Sequence, residues 1–339
     1  MTLTSKPASS AQPTPSASPE LSATPETETA ASPWQRIRRL EANVSRVLRG
    51  KQEVIRQAVV CLLARGHVLM EDVPGVGKTT LAQALARSLG VSFQRIQFTS
   101  DLLPSDIIGV SIYRQRDERF EFVPGPLFAN VLLADEINRA TPKTQSALLE
   151  AMSEGRVSVD RKRYTLTQPF LVIATQNPLE YHGTFPLPES QLDRFLMSLE
   201  LGYPPRDEER DLLLSGGVEA LLHDLQPVLS REELLELQQQ VPQVQVADKL
   251  ADYILDLAVE TRKTGSFLLG VSTRGVQSLY RAVQAHALCE GRTFAIPEDV
   301  HRLAVSVLSH RILLRRGAGD RAAQRQAIEG LLESVPVPR

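Results

Sequence analysis

The chain has 339 residues, 42% of them hydrophobic and 23% charged, with 38 basic against 40 acidic side chains for a net charge of −2. That balance is ordinary for a soluble globular protein of two or three domains and excludes any strong global pull toward nucleic acid or membrane. No run of about 18 apolar residues marks a spanning helix, and no basic segment followed by an apolar one marks a secretory signal. The two cysteines, Cys61 and Cys289, fall inside apolar helical patterns. They read as buried small hydrophobes of a reducing, cytoplasmic setting, not as a disulfide framework.

Residues 1–33 are almost entirely Ser, Thr, Ala and Pro, with Met1, Leu3 and Leu21 as their large apolar side chains. Such a segment buries too little surface to offset its ordering entropy and reads as a disordered tail. Order is expected from Trp34, where Ile37, Leu40, Val44, Val47 and Leu48 recur at helical spacing up to a C-capping Gly50. A second helix, from Glu53 to about Ala64, leads to a short apolar strand, His67 to Met70.

The next residues are the most informative in the chain. Pro74-Gly75-Val76-Gly77-Lys78-Thr79-Thr80 lie between that strand and a helical pattern of Leu81, Ala82, Leu85, Ala86 and Leu89. Strand, Gly-rich turn and helix opening in Gly-Lys-Thr form a P-loop, a concavity of backbone N–H groups at a helix N-terminus that suits the phosphates of ATP. Lys78 is placed to reach the β- and γ-phosphates and the Thr79 hydroxyl to ligate Mg²⁺. The general pattern asks for glycine at position 72, where this chain has Asp72.

A continuous apolar run, Val131 to Ala134, ends in Asp135-Glu136. It reads as a strand covered on both faces, as in a parallel sheet, with its carboxyl end at the ligand. Asp135 is placed to hold Mg²⁺ and Glu136 to polarise an attacking water. A third strand, Phe170 to Ala174, runs into Thr175-Gln176-Asn177-Pro178, where Asn177 could orient that water. Arg194 is a candidate arginine finger, the alternative being a salt-bridged arginine at a helix end. Ser272-Thr273-Arg274 opens a helix that Ser272 or Thr273 can cap, and Arg274 could reach the nucleotide from a separate domain. Gly155 to Val159 and Tyr164 to Thr167 alternate apolar with polar residues and suggest a hairpin around the basic tip Arg161-Lys162-Arg163. Helices follow: a capping box at Ser230 to Glu233, an amphipathic stripe through Leu250, Ile254 and Leu257, and a helix starting near Pro297.

Taken in order, these motifs resemble an AAA+ ATPase, and most closely the MoxR family. The resemblance is carried by Glu71 to Thr80, by Phe122 to Asn130 running into Leu133 to Ala140, by Lys143 to Met152, and by Ala174 to Pro178. It implies a P-loop αβα core with a parallel sheet and two β-hairpin insertions, plus a C-terminal all-α lid. The first insertion would span about residues 103–123, with Ile112-Tyr113 and Arg119 to Phe122 forming its hairpin, and the second is the hairpin at Gly155 to Thr167. It implies Walker A at Gly75 to Thr79, Walker B at Asp135 and Glu136, sensor 1 at Asn177 and sensor 2 at Arg274. Arg194 would serve a neighbouring subunit, so a homo-hexameric ring is implied. The expected boundaries are a tail over 1–33, the core over 34–205, the lid over 206–320 and a C-terminal helix and tail over 321–339. The implied activity is Mg²⁺-dependent ATP hydrolysis that remodels, assembles or activates a protein partner. The family often serves proteins with a von Willebrand factor A domain.

Two other readings compete. Relatives with the same hairpins act on DNA, and the basic tip favours a nucleic-acid motor. The near-neutral charge, few aromatics and lack of a nucleic-acid module set that reading second. A nucleotide-gated scaffold without turnover is disfavoured because every catalytic position is filled.

Overall fold

The structure, a computed structural model, describes residues 31–176, 184–214, 217–263, 265–316 and 320–338. Nearly all of the predicted tail, and with it Asn177 and Pro178, lies outside them. The chain from Ser32 onward forms one compact unit.

Helices α1 (Pro33–Ser45) and α2 (Gln52–Leu63) precede strand β1 (Val68–Glu71). Helix α1 stops five residues short of Gly50. The N–H groups of Val47 and Leu48 both turn back to the Val44 carbonyl, and Gly50 (φ +69°) bends the linker that follows. Helix α3 (Lys78–Ser88) leads to β2 (Phe93–Gln97), and the short α4 (Pro104–Ile108) to the hairpin β3 (Gly109–Arg114) and β4 (Arg119–Pro124). Then come β5 (Val131–Asp135), α5 (Pro142–Glu154), the hairpin β6 (Arg156–Val159) and β7 (Lys162–Thr165), and β8 (Leu171–Gln176). The short α6 (Glu189–Leu192) precedes β9 (Met197–Leu199). Both expected hairpins are thus present, paired antiparallel.

The main sheet is parallel throughout, in the order β2-β5-β8-β1-β9. Its strands read as unbroken apolar runs because both faces are covered. Val68, Met70, Val131, Leu133, Leu171 and Ile173 point into one core with α1, α2 and α3. The intervening Leu69, Leu132, Ala134, Val172 and Ala174 point into a second core with Leu148 and Leu149 of α5. This period-two sharing holds the carboxyl ends of β1, β5 and β8 in register, with Leu69, Leu133 and Ala134 paired to Ala174, Ile173 and Ala174.

The remainder is helical: α7 (Arg206–Leu214), α8 (Val218–His223), α9 (Arg231–Gln240), α10 (Asp248–Lys263), α11 (Thr273–Cys289), α12 (Pro297–Leu308) and α13 (Arg321–Ser334). Its helix starts follow the sequence signals. Ser230 Oγ accepts from the Glu233 N–H at 3.1 Å while Glu233 accepts from the Ser230 N–H at 2.7 Å, a complete capping box. Ser272 Oγ caps α11 by accepting from the Gly275 N–H at 3.0 Å. Two short strands, β10 (Phe267–Leu269) and β11 (Leu313–Leu314), pair antiparallel within this region. The sequence did not signal them, being too short to show alternation. The fold is therefore a parallel α/β core followed by a helical region in the place of the expected lid. Helices α1 and α2 share the lid's apolar core, and the Gln238 side chain of α9 donates to the Leu62 carbonyl of α2 at 2.7 Å.

Candidate nucleotide site

The P-loop turn needs two left-handed residues, and glycine supplies both: Gly75 has φ +85° and Gly77 φ +104°. A side chain at Gly77 would be strained in that conformation and would also approach Leu48 Cδ1 at 3.2 Å. The turn delivers Lys78 and Thr79 at the first positions of α3, where orphan N–H groups favour an anion. Lys78 Nζ donates to the loop carbonyls of Asp72 (2.8 Å) and Val73 (3.3 Å). Burial pulls its pKa below the ordinary lysine value, and the neighbouring carboxylates of Asp72, Asp135 and Glu136 oppose that shift.

The departure at Asp72 has a structural reason. Its carboxylate accepts the backbone N–H of Leu201 and, at 3.2 Å, that of Gly202. The residue is 7% exposed. Asp72 therefore ties the entrance of the P-loop to the chain leaving β9.

The carboxylates of β5 face this loop. Thr175 on β8 donates its hydroxyl to Asp135 Oδ1 at 2.6 Å and accepts the Glu136 N–H at 2.9 Å, fixing both residues from the neighbouring strand. Glu136 sits in the left-handed region (φ +57°), a strained backbone of the kind that accumulates at functional sites. Its Oε2 accepts from Gln97 Nε2 and lies 3.1 Å from Arg139 Nε. Arg95 Nη2 pairs with Asp135 Oδ2 at 2.6 Å. Arg95 and Gln97 lie on β2, which brings a third strand to the site. Both were missed by sequence reasoning, because only the strand order places β2 beside β5. Together Pro74, Gly75, Gly77, Lys78, Thr79, Thr80, Arg95, Gln97, Asp135 and Glu136 line a cavity of about 340 Å³. Val76 points away into the core, 7% exposed. An ammonium, a helix N-terminus and the hard oxygens of Thr79 and Asp135 fit a nucleotide polyphosphate with Mg²⁺.

Arg194 and Arg274 do not line this cavity. They meet instead in a separate pocket of about 240 Å³. Arg194 Nη1 donates to the Leu149 carbonyl (2.7 Å) and Ser153 Oγ (3.0 Å), and no carboxylate pairs with it among the described residues. The preceding residue joins the two arginines. Asp193 Oδ2 accepts from Ser272 Oγ, the cap of the Arg274 helix, at 2.8 Å. Asp193 Oδ1 pairs with Arg311 Nε at 2.9 Å. Arg311 is 3% exposed and donates further to the carbonyls of Phe195 and Leu196. Burial lowers its pKa to about 10, and Asp193 opposes the shift. His67 underlies the same pocket: its Nδ1 accepts the Val172 N–H at 3.0 Å and its Nε2 lies 3.1 Å from the Met152 carbonyl. Burial lowers its pKa to about 4, so the ring is neutral at pH 7.

Known proteins share these features. Residues 67–197 match the ATPase family associated with various cellular activities (AAA), and residues 259–330 match the AAA lid domain. The chain is 49% identical over 297 residues to the uncharacterized protein YeaC of Bacillus subtilis, covering 87% of this chain and 93% of the relative. It is 42% identical over 306 residues to the chaperone MoxR1 of Mycobacterium tuberculosis, covering 87% and 81%. A solved structure from Cytophaga hutchinsonii superposes with a TM-score of 0.82 at 36% identity, covering 91% of this chain and 96% of that one.

Proposed function

The chain belongs to the MoxR family of AAA+ ATPases, and we propose that it hydrolyses ATP with Mg²⁺ in a ring of identical subunits to remodel a protein partner. The observation that carries this reading is the separation of the two half-sites. Phosphate-binding and carboxylate groups line one cavity, whereas Arg194 and Arg274 line another. A second copy brings the two halves together, and a closed ring, a hexamer as in the family resemblance, gives every subunit both.

In this reading Pro74 to Thr80 wrap the polyphosphate and Lys78 neutralises its terminal oxygens. Thr79 and Asp135 would hold Mg²⁺, which when bound offsets phosphate charge and fixes the reacting geometry. Glu136 takes a proton from the water that attacks the γ-phosphorus as the bond to the leaving ADP oxygen breaks. Gln97 and Arg139 hold the Glu136 carboxylate, and Asn177, next in sequence after Gln176, orients the water. Arg194 and Arg274 of the adjacent subunit neutralise charge on the transferring phosphoryl. The partner fitting the family pattern is a protein with a von Willebrand factor A domain. The mechanical division is a core over 34–205 and a lid over 206–320, acting in the cytoplasm. No helix among the described residues is long and apolar enough to cross a membrane, and both cysteines are buried free thiols.

The test is ATP hydrolysis across a protein dilution series for wild type, Lys78→Ala and Arg194→Ala. Specific activity rises with concentration, each variant alone is inactive, and mixing the two restores turnover because a complete site forms between them. Activity independent of concentration, with Arg194→Ala at the wild-type rate, would overturn the shared site. Glu136→Gln retains ATP and loses turnover; unchanged turnover would remove Glu136 from its role.

A further inference from the structure

The pocket shared by Arg194 and Arg274 has two more arginines on its wall, Arg65 and Arg281. The four come from three places in the chain. Arg65 follows the end of α2, Arg194 follows α6, and Arg274 and Arg281 stand two turns apart on α11, with Gln277 between them on the same face. Several arginines elsewhere in the protein are paired with a carboxylate: Arg56 with Glu41, Arg292 with Asp299, Arg311 with Asp193 and Arg321 with Glu71. Among the described residues none of the four pocket arginines has a carboxylate within ion-pairing distance. The one carboxylate on the wall, Asp193, is already engaged by Ser272 and Arg311.

Four arginines thus line one pocket of about 240 Å³, a concentration of positive charge that a bound anion would offset. Arg65 follows α2 in the left-handed region (φ +54°), its N–H returning to the Leu62 carbonyl at 3.1 Å, and its side chain is exposed at the pocket. Arg281 is likewise exposed, whereas Arg194 lies deeper, braced by Leu149 and Ser153.

We propose that Arg65 and Arg281 are phosphate-binding residues, which with Arg194 and Arg274 form the face each subunit presents to the nucleotide of its neighbour. This rests on the shared-site reading above and extends it. Guanidinium forks match phosphate oxygens, and the γ-phosphate of a triphosphate gives them an added charged partner that a diphosphate lacks. The interface thereby senses whether the neighbour holds ATP or ADP, and its grip weakens after hydrolysis. A free inorganic polyphosphate is the other source of the same chemistry.

The test uses full-length Arg65→Ala, Arg281→Ala and Arg194→Ala, each also mixed with excess Lys78→Ala, which has an intact arginine face. ATPase activity and ATP-driven assembly, followed by sedimentation, are both read. Thermal melting checks that the exposed substitutions leave the fold intact. Arg65→Ala and Arg281→Ala each lower activity and raise the protein concentration needed for assembly by about fivefold, the scale of one partly exposed charged hydrogen bond. Excess Lys78→Ala restores the turnover, and Arg281→Lys falls between wild type and alanine. If mixing rescues Arg194→Ala while Arg65→Ala and Arg281→Ala match wild type in both readouts, the shared site stands and this inference falls. If mixing rescues none of the impaired variants, the shared-site reading itself falls. A third arm titrates tripolyphosphate into dilute Lys78→Ala. Binding that Arg281→Ala abolishes, with turnover and assembly unaffected, would assign the pocket to a free anion and overturn the proposal.

Discussion

Asp72 gives the sharpest test of how the P-loop is held. Its carboxylate is buried and accepts two backbone N–H groups, from Leu201 and Gly202, that lie 129 and 130 residues away in sequence. Asp72→Ala leaves both donors without their partner in a site too closed for full hydration. Each such donor costs about 1–3 kcal/mol, so the variant loses roughly 2–4 kcal/mol once partial solvation of Gly202 is allowed for. At about 2–3 °C per kcal/mol for a chain of this size, the melting midpoint falls by roughly 5–10 °C. Asp72→Asn keeps one acceptor but turns an NH₂ toward the other donor, so it retains at most half of the stability. The loop entrance is also released from the chain after β9, so half-saturation for ATP rises in parallel. Differential scanning calorimetry and an ATP titration read the two effects. A melting midpoint and ATP affinity both unchanged in Asp72→Ala would refute the clamp and reduce Asp72 to a tolerated deviation from the glycine pattern.

Three further outcomes are expected. Arg95→Ala frees Asp135 Oδ2 from a half-exposed ion pair, so the Mg²⁺ concentration for half-maximal ATPase falls by up to about fivefold; a rise would mean that Arg95 helps to bind the nucleotide. Asp193→Ala leaves Arg311 as a buried unpaired charge and costs about 3–5 kcal/mol by denaturant titration. Ser272→Ala, which loses a helix cap, costs only about 1 kcal/mol, and equal losses would show that the ion pair is not the dominant tie. His67 is held neutral with its folded-state pKa at about 4, below the ordinary value of 6.5. Its stabilising contribution is therefore complete above about pH 6.5 and is lost as pH falls toward 4. His67→Gln flattens this part of the stability profile relative to wild type, and an unchanged slope would assign the loss to other groups.

The sequence was most legible where structure is local. The P-loop glycines, the capping boxes, the alternating hairpins and the double-faced strands each carry their reason within about ten residues. The site was legible only in part, because its supporting groups are set by strand order. Thr175 reaches Asp135 and Glu136 because β8 lies beside β5, and Arg95 and Gln97 do so because β2 lies on the other side. Nothing in a linear pattern gives that order. Asp72 appeared as a departure from a motif, and its partners became visible only when β9 packed beside β1. Gly50 illustrates the opposite error: glycine after an apolar stripe resembles a helix cap, but α1 ends at Ser45, five residues earlier.

The connection between the two half-sites runs through Asp193. One carboxylate oxygen holds the cap of α11, and with it the start of the helix bearing Arg274 and Arg281. The other holds Arg311, which is anchored to the carbonyls of Phe195 and Leu196 leading into β9. Strand β9 pairs directly with β1, whose end opens into the P-loop and whose Glu71 is bonded by Arg321 of the C-terminal helix. The start of α11 is therefore linked to the strand that opens into the P-loop by a series of direct side-chain and strand contacts, the outermost of which, Ser272 to Asp193, is solvent-exposed. Such contacts have few alternative geometries, so they either hold or break. In the proposed ring, a change at the nucleotide cavity would therefore have a bonded route to the helix bearing Arg274 and Arg281.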